Sequence, residues 1–425
     1  MPGLDLFLHD QFVGVVTPDR RDRSRVILDV DSDYTSDVLL SEAFAVIPSR
    51  RPPAQAVSHF LGGYMPEGNQ RERMAAKRRI DKDDLFVLLS EFGGSVAGAV
   101  TLREQGEPPH YRPVYEPLDE HVLAVRLRQA LTEADQGIPD DSRSTLPGYQ
   151  PKVLAALFDG QWSYPHGRAH STHILKPQVP ACPYRIFDEH YSHLLANRVG
   201  LGGYGSEIRQ AEAMTYLAIE RFDRVIDGDE VRLNHQEDLA QAMGLDWRDT
   251  DVKFQEPDWP DDPRRATVRR MARLIGSIPG GGEAIEEWVR QLTFRIVIGD
   301  NDAHAKNVAL SHLPGRTKLT PVYDAVPNLF QEGPVVWNMA LAVDGIFDHR
   351  RISVEHLLAE IALWGVMSES RASVLVTKTL DDLASALNEV VPNGVSPGIV
   401  PHLVWNVDRL QSGYEIGEPK QTSIF

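Results

Sequence analysis

The first third of the chain alternates apolar and polar residues and then changes to longer blocks. Every second residue of the run 4–8 is leucine, "FVGVV" follows a probable turn at "HDQ", and "RVILDV" occupies 25–30. Alternation predicts short strands, because successive side chains of a strand point to opposite faces. A basic run with helical character at 68–79 and an apolar run at 84–102 come next. The proline-rich, unpatterned stretch 104–117 predicts a domain boundary.

Strand and helix patterns mix in the middle of the chain. The runs 152–162 and 172–177 predict strands of one sheet. Residues 190–200 have helical spacing and end at Gly200, a residue type that commonly closes helices. The run 216–225 begins like a strand and ends in charged residues, which indicates a connection to the next part of the chain.

Helical spacing dominates the second half. In "AIEEWVRQLTFRIVIG", apolar residues stand at i, i+3, i+4, i+7 and i+11 from Ile285 to Ile296, and the stripe ends at Gly299. The same spacing returns at 354–361 and again at 371–390. These patterns predict a lobe built of helices.

Together the patterns predict an α+β protein in three parts. They are an N-terminal β-rich subdomain (1–105), a small mixed β-sheet lobe (118–225) and a helical C-terminal lobe (226–425). A chain of 425 residues also exceeds what a single hydrophobic core usually supports.

Charge and cysteine content limit the partners and the cellular compartment that are expected for this protein. With 44 Lys and Arg against 61 Asp and Glu, the net charge is −17, which argues against direct adhesion to nucleic acid or to an anionic membrane. Any contact with DNA is therefore expected to go through a partner. The single cysteine, Cys182, cannot form an internal disulfide, and no signal peptide or membrane span is evident. A cytoplasmic protein is expected.

The strongest chemical signal follows the predicted helix directly, in "IGDNDAHAKN". Asp302 and Asn307 stand in D-x-x-x-x-N spacing, which phosphoryl-transfer enzymes of the protein-kinase type use. The Asp orients and deprotonates the attacking hydroxyl, and the carboxamide binds Mg²⁺. Asp324, flanked by apolar residues, lies 22 residues further on, where a second metal-binding carboxylate is expected after a short hairpin.

Other polar residues of this stretch have two interpretations each. Lys306 either neutralises charge on a transferring phosphoryl group or is a solvated loop lysine. His304 is expected to be a structural hydrogen-bonding residue, with a general base as the alternative. Asp300, Asp302 and His304 could alternatively be the metal ligands of a hydrolase, although no second His/Asp cluster completes such a site.

A kinase-type site also needs a lysine on a strand, held by a carboxylate, and a phosphate-binding loop. Lys176 in "THILKP" fits the lysine, or it is a charged gatekeeper at a sheet edge. Glu189, at the start of the 190–200 helix, fits the carboxylate, or it is an ordinary first-turn acid. "SRSTLPGYQPK" (142–152), the phosphate loop, precedes a predicted strand but has one glycine where a kinase loop has three.

These motifs together resemble those of the HipA family of bacterial serine/threonine toxin kinases. The resemblance runs from the first strands to the final helices, in the family's order and approximate spacing. It rests on "STLPGYQPK", "THILKP", "AIERFDR", "RLNHQEDLAQAMG", "IGDNDAHAKN" and "LTPVYDA". It implies a protein-kinase-related two-lobe fold with an N-terminal subdomain of the family type.

The resemblance also implies roles for individual residues and two cofactors, ATP and Mg²⁺. Asp302 would be the catalytic base, and Asn307 and Asp324 would bind the metal. Lys306, in the same loop, is a further catalytic candidate from its position alone. The nucleotide would contact Lys176 with Glu189, the phosphate loop at Lys152, Gly148 and Gln150, and the hinge 219–222 at Glu220 and Phe222.

Partners and regulation are implied in the same way. Family members phosphorylate proteins of the translation apparatus, notably aminoacyl-tRNA synthetases, and a small DNA-binding antitoxin (HipB-like) neutralises them. The family's loop commonly carries an autophosphorylated serine that switches the kinase off. Here that position is Thr145, with Ser144 and Ser142 nearby, so these three are the autophosphorylation candidates.

Two other functions remain open from the sequence. The protein could be a corepressor that docks on a DNA-bound partner and carries a vestigial kinase site. It could also be a metal-dependent phosphohydrolase, which would release inorganic phosphate without forming a phosphoprotein.

Overall fold

The protein forms two compact units in a computed structural model, which describes residues 3–107, 112–133, 143–148, 150–228, 230–331 and 335–419. The first unit contains Met1–Gln178, Tyr204–Thr250 and Leu310–Arg316. The second contains Val179–Gly203, Asp251–Ala309 and Thr317–Phe425. In the described part of the chain, no helix is long and apolar enough to cross a membrane.

The first unit begins with an antiparallel sheet of four strands, as the alternating pattern predicts. Its strand order is β3-β2-β1-β4, with β1 Leu4–Leu8, β2 Gln11–Pro18, β3 Val26–Val30 and β4 Val100–Glu104. Three helices connect β3 to β4: α1 Ala54–Gly62, α2 Gly68–Arg78 and α3 Leu85–Phe92. Burial follows the period of two along β1, where Leu4, Leu6 and Leu8 lie in the core.

A second sheet in the same unit has six strands in the order β5-β7-β6-β8-β10-β9. They are β5 Val114–Pro117, β6 Val153–Phe158, β7 Gln161–His166, β8 His173–Pro177, β9 Ser206–Ala211 and β10 Met214–Glu220. All five pairings are antiparallel, where a mixed sheet was predicted. Short turns connect β6 to β7 and β9 to β10, and a short turn can join only antiparallel strands.

One helix, α4 (Glu120–Glu133), covers the apolar face of the second sheet. Leu123 and Leu127 of α4 share a core with Val153, Leu175 and Tyr216 of the strands. The unit is completed by β11 Arg224–Asp227, β12 Glu230–Leu233, β13 Gln236–Asp238 and α6 Leu239–Ala242. The three-part division predicted from the sequence remains a prediction.

The second unit is mainly helical. Its helices are α5 Arg185–Arg198, α7 Val268–Ser277, α8 Gly281–Ile298, α9 Val354–Trp364, α10 Glu369–Glu389 and α11 Ile399–Gln411. It also contains a strand pair absent from the sequence prediction, β16 Asn338–Val343 and β17 Ile346–Asp348. The run "NMALAV" is rich in helix-forming residue types, so local propensity opposed the strand and tertiary contacts decided it. Along the chain, two strands follow Asn307 and precede Asp324: β14 Ala309–Leu313, most of which belongs to the first unit, and β15 Arg316–Leu319.

Helix α8 ends at Gly299, as its apolar stripe predicts. Gly299 has φ +69°, in the left-handed region, and the amide of the next residue donates to the carbonyl oxygen of Arg295 (3.0 Å). A Cβ at Gly299 would lie 2.5 Å from Cε2 of Phe330. The glycine therefore lets the chain leave the helix sharply and start the polar loop that follows.

A Gly299→Ala protein is expected to lose about 2 kcal/mol of unfolding free energy, because alanine is strained at positive φ and its Cβ overlaps Phe330. Urea unfolding followed by circular dichroism measures the loss. Gly282→Ala in the first turn of α8 is the matched control, since a Cβ there meets nothing within 4 Å. Equal midpoints for the two variants would contradict the assigned role of Gly299.

Candidate active site

The loop that follows α8 is closed by its own hydrogen bonds. Nδ2 of Asn307 donates to the carbonyl oxygen of Asp302 (2.9 Å), and the amide of His304 donates to the same oxygen (2.8 Å). A short 3-10 helix, Ala305–Asn307, ends the loop. The D-x-x-x-x-N spacing thus brings Asp302 and Asn307 into direct contact within one rigid turn.

Arg295, on the last turn of α8, binds this loop through its guanidinium group. Its side chain is fully buried and forms an ion pair with the equally buried Asp300. The guanidinium also donates to the carbonyl oxygens of Asn307 (2.6 Å) and Tyr323 (3.1 Å). One side chain therefore links the loop to the residue next to Asp324. The sequence carried a signal for it, a charged residue inside the apolar run "TFRIVIG".

Asp302 is half-exposed, with 49% of its side chain accessible, as a group that must meet an incoming hydroxyl would be. Loss of hydration by burial raises its pKa to about 6, and the negative charge of Asp324 acts in the same direction. The cations Lys253, Arg185 and Arg295 partly oppose this rise. Asp302 thus holds its proton more readily than an ordinary carboxyl, which suits a general base working near neutral pH.

The oxygen donors nearby fit a magnesium ion. Asn307 is buried, and its amide nitrogen is committed to Asp302, so its oxygen is the atom left for another partner. Asp324 has φ +49°, and its carboxylate and that of Asp302 repel each other electrostatically. Carboxylate and carboxamide oxygens are the donors Mg²⁺ prefers, and a cation would relieve the repulsion. Asn307 and Asp324 are therefore suited to hold the metal.

Asp300 and His304 do not join a second metal site. Asp300 is fully buried against Arg295, and His304 packs edge-on against the ring of Phe254 with 5.0 Å between centroids. Among the residues that the structure describes, no group of three His, Cys, Asp or Glu side chains could hold a metal. The hydrolase ligand set considered from the sequence is therefore wrong, because the ion pair with Arg295 takes Asp300 out of it.

Two cations near Asp302 were not anticipated from the sequence. Lys253 is buried, and its carbonyl oxygen accepts from the amide of Ala305 (3.2 Å), inside the loop from Asp302 to Asn307. Arg185 starts α5. Both lower the pKa of Asp302, because their positive charges stabilise its ionised carboxylate. Lys253 lies almost fifty residues before Asp302 in a segment without periodicity, which is why no local pattern identified it.

Lys176 and Glu189 lie in different units, so their pairing remains a prediction. Lys176 is buried in β8, between β6 and β10 in the interior of the sheet, and the edge-gatekeeper alternative is therefore wrong. Helix α5 begins at Arg185, earlier than predicted, so Glu189 is buried in its second turn. The first-turn acid is Asp188. Lys306 is half-buried, and its carbonyl oxygen accepts from the hydroxyl of Tyr323 (2.7 Å).

The described part of the phosphate loop is folded against the first unit. Nζ of Lys152 donates to the carbonyl oxygen of Pro147 (2.7 Å), curling the loop around the ammonium group. Gly148 has φ +112°, and a Cβ there would lie 2.9 Å from that nitrogen. Gln150 is half-buried. Of the autophosphorylation candidates, Thr145 and Ser144 are fully buried, and Ser142 lies outside the described residues.

The hinge residues end β10 and lead into a buried ionic cluster. The carboxylate of Glu220 accepts from the amide of Gly205 (2.7 Å), and Phe222 packs against Tyr204 with centroids 5.7 Å apart. Directly beyond them, Asp223 is buried between Arg221 and Arg224. The predicted nucleotide hinge is 219–222, and the sequence did not reveal that Arg221, Asp223 and Arg224 of the motif "AIERFDR" pair with one another.

The fold and this arrangement place the chain in the protein-kinase-related α+β class. A family model described as the HipA-like C-terminal domain matches residues 144–389, and one described as the HipA N-terminal domain matches residues 4–103. The chain therefore belongs to the HipA family, as its motifs indicated.

Individual relatives agree with this assignment. A putative kinase of Sinorhizobium fredii, Y4mE, is 31% identical over 66% of this chain and 67% of its own length. The serine/threonine-protein kinase toxin HipA of Shewanella oneidensis is 23% identical over 71% of this chain and 70% of its own length. A solved structure of Shewanella oneidensis HipA with HipB and operator DNA shares the fold, with a TM-score of 0.80, 21% identity and 97% of each chain covered.

Proposed function

We propose that this protein is a serine/threonine-protein kinase toxin that transfers the γ-phosphate of ATP to a protein hydroxyl. The observation that carries the proposal is the closed loop in which Asn307 donates to Asp302, with Asp324 close enough to raise the pKa of Asp302. That combination offers one base and two metal-binding oxygens, the minimum that this chemistry needs.

Each group has a defined task in the proposed reaction. Asp302 orients the attacking hydroxyl and accepts its proton, and Lys306 faces the transferred phosphoryl group. Asn307 and Asp324 hold Mg²⁺, which neutralises charge on the ATP phosphates when bound. On the nucleotide side, the proposal assigns Lys176 with Glu189 and the loop residues Lys152, Gly148 and Gln150 to the phosphates. Glu220 and Phe222 are assigned to the adenine.

The biological setting is proposed from the family. The substrate is a protein of the translation apparatus, an aminoacyl-tRNA synthetase, and the partner is a small HipB-like antitoxin that binds DNA, so this chain would reach DNA only through it. The Shewanella oneidensis relative is solved with HipB and operator DNA, which supports a partner of this kind. A cytoplasmic location follows from such a substrate and partner.

Incubation with Mg²⁺ and ATP, followed by intact-mass and peptide mass spectrometry, tests the proposal. A phosphate is expected on the protein itself at Thr145, Ser144 or Ser142, and omission of Mg²⁺ should abolish it, because the metal neutralises the charge that develops on the transferring phosphates. ATP consumption without a phosphoprotein would favour the phosphohydrolase. Absence of any ATP consumption would favour the corepressor with a vestigial site.

A further inference from the structure

A short segment of the N-terminal subdomain lies directly against the phosphate loop. Residues 94–98, "GSVAG", follow helix α3 and lead into β4; we call them the docking strand. Ser95 forms a parallel bridge with Ser144. Its amide donates to the carbonyl oxygen of Arg143 (3.0 Å), and its carbonyl oxygen accepts from the amide of Thr145 (3.0 Å). The loop is thus paired to the subdomain like an added strand.

Side chains strengthen this pairing on both sides. Leu146 of the loop is 7% exposed and belongs to the same hydrophobic core as the strands of the N-terminal sheet. Burial of this apolar side chain favours the docked position of the loop. Oγ of Ser95 lies 2.8 Å from Nδ1 of His170, and burial, with Arg224 and Arg221 nearby, keeps the pKa of His170 well below its ordinary range. The contact is therefore one between neutral groups.

The docking strand is itself held by the ionic cluster that follows the hinge. Arg221 and Arg224 both donate to the carbonyl oxygen of Val96, and the carboxylate of Asp223 accepts from the amide of Gly98 (2.8 Å). Burial alone would raise the pKa of Asp223, but the two arginines hold it well below its ordinary range. One segment of the N-terminal subdomain is thus anchored to the hinge and paired to the phosphate loop.

We propose that the docking strand positions the phosphate loop for ATP, with Ser95 as the positioning residue. This inference rests on the proposed kinase function and adds a task for the N-terminal subdomain. In this view, the N-terminal subdomain keeps the phosphate loop in the conformation that binds ATP. If only a fraction of molecules has the loop docked, the apparent affinity for ATP falls by that fraction.

Gly94 offers a direct test, because it has room for no side chain. A Cβ at Gly94 would lie 2.8 Å from Cβ of Arg143, 3.1 Å from Cγ of Arg168 and 3.2 Å from the carbonyl oxygen of Arg143. A Gly94→Ala protein is expected to raise KM for ATP about tenfold, with kcat at saturating ATP within about twofold of wild type, because ATP draws the loop back.

Trypsin gives an ATP-independent measure of the same equilibrium. Cleavage after Arg143 requires the loop to leave the docking strand, so its rate in Gly94→Ala should rise about tenfold with the open population. Gly282→Ala, whose Cβ meets nothing within 4 Å, should match wild type in both measurements.

The outcomes separate the proposals. Wild-type KM and wild-type cleavage in folded Gly94→Ala would overturn the docking role. If Gly94→Ala does not fold, Leu146→Ala weakens the same contact from the side of the loop. KM for ATP and the rate of tryptic cleavage are then measured on Leu146→Ala, with the same expected increases. A wild-type protein that uses no ATP would refute the kinase function, while the tryptic rate would still decide whether the loop is docked.

Discussion

An Asp302→Asn protein is expected to lose phosphoryl transfer by about 10³-fold. Asparagine keeps the size of the side chain but has no basic oxygen to accept the proton of the attacking hydroxyl. The loop should keep its shape, because Asn307 bonds the backbone carbonyl of residue 302 and not its side chain. Transfer of labelled phosphate from ATP measures the loss, and ATP binding should remain close to wild type.

The same variant should be no less stable than wild type. Burial and Asp324 raise the pKa of Asp302 from 3.8 to about 6, so the folded protein binds its proton more tightly than the unfolded chain does. Ionisation of Asp302 therefore opposes folding as the pH rises through that interval. An uncharged asparagine removes this cost. Tm of the variant should equal or exceed that of wild type above pH 6, and the advantage should vanish below the ordinary pKa of 3.8.

Asp261→Asn is the matched control, because Asp261 is exposed in the same unit and far along the chain from the loop. It should leave both transfer and Tm unchanged. Wild-type transfer by Asp302→Asn would exclude Asp302 as the base. A large fall in Tm would mean that its carboxylate supports the fold, and the activity loss would then say little about the chemistry.

An Arg295→Met protein is expected to lose about 3–5 kcal/mol of unfolding free energy together with most of its activity. Methionine leaves the carboxylate of Asp300 buried without its counter-charge. It also removes the donors to the carbonyl oxygens of Asn307 and Tyr323, which align the loop from Asp302 to Asn307 with the segment carrying Asp324. Urea unfolding followed by circular dichroism measures the stability.

A second substitution separates stability from positioning. In Arg295→Met/Asp300→Leu the buried charge is gone, so part of the lost stability should return. Activity should stay low, because the two carbonyl oxygens still lack their donors. Arg316→Met on the exposed face of β15 should change stability by less than about 0.5 kcal/mol. Recovery of activity in the double variant would show that Arg295 acts only through Asp300.

Local patterns were sufficient where a residue's partner lies within one turn or one loop. The stripe of α8, its end at Gly299 and the spacing of Asp302 and Asn307 all depend on contacts between near neighbours, and the structure has them as predicted. The start of α5 was placed too late, because "PYRIF" carries no capping side chain to mark it. That error moved Glu189 into the wrong turn.

Contacts between distant segments were not predictable in the same way. The carbonyl oxygen of Lys253 accepts a hydrogen bond from Ala305, about fifty residues further along the chain. The carbonyl oxygen of Ser95, in the N-terminal subdomain, accepts one from Thr145. Arg221, Asp223 and Arg224 lie within four consecutive residues, yet only their burial shows that they are an internal ionic cluster. In each case the residue type is unremarkable, and the environment supplied by remote segments determines its role.

The sequence by itself determined the α+β class, the order of the motifs, the family and the loop from Asp302 to Asn307, because these depend on periodicity and on spacing over a few residues. The tertiary structure alone decided that Lys176 is interior, that Arg295 joins the loop to Tyr323, and that the docking strand holds the phosphate loop. The physical reason is that burial and long-range hydrogen bonding depend on which segments the fold brings together, and no local pattern encodes that.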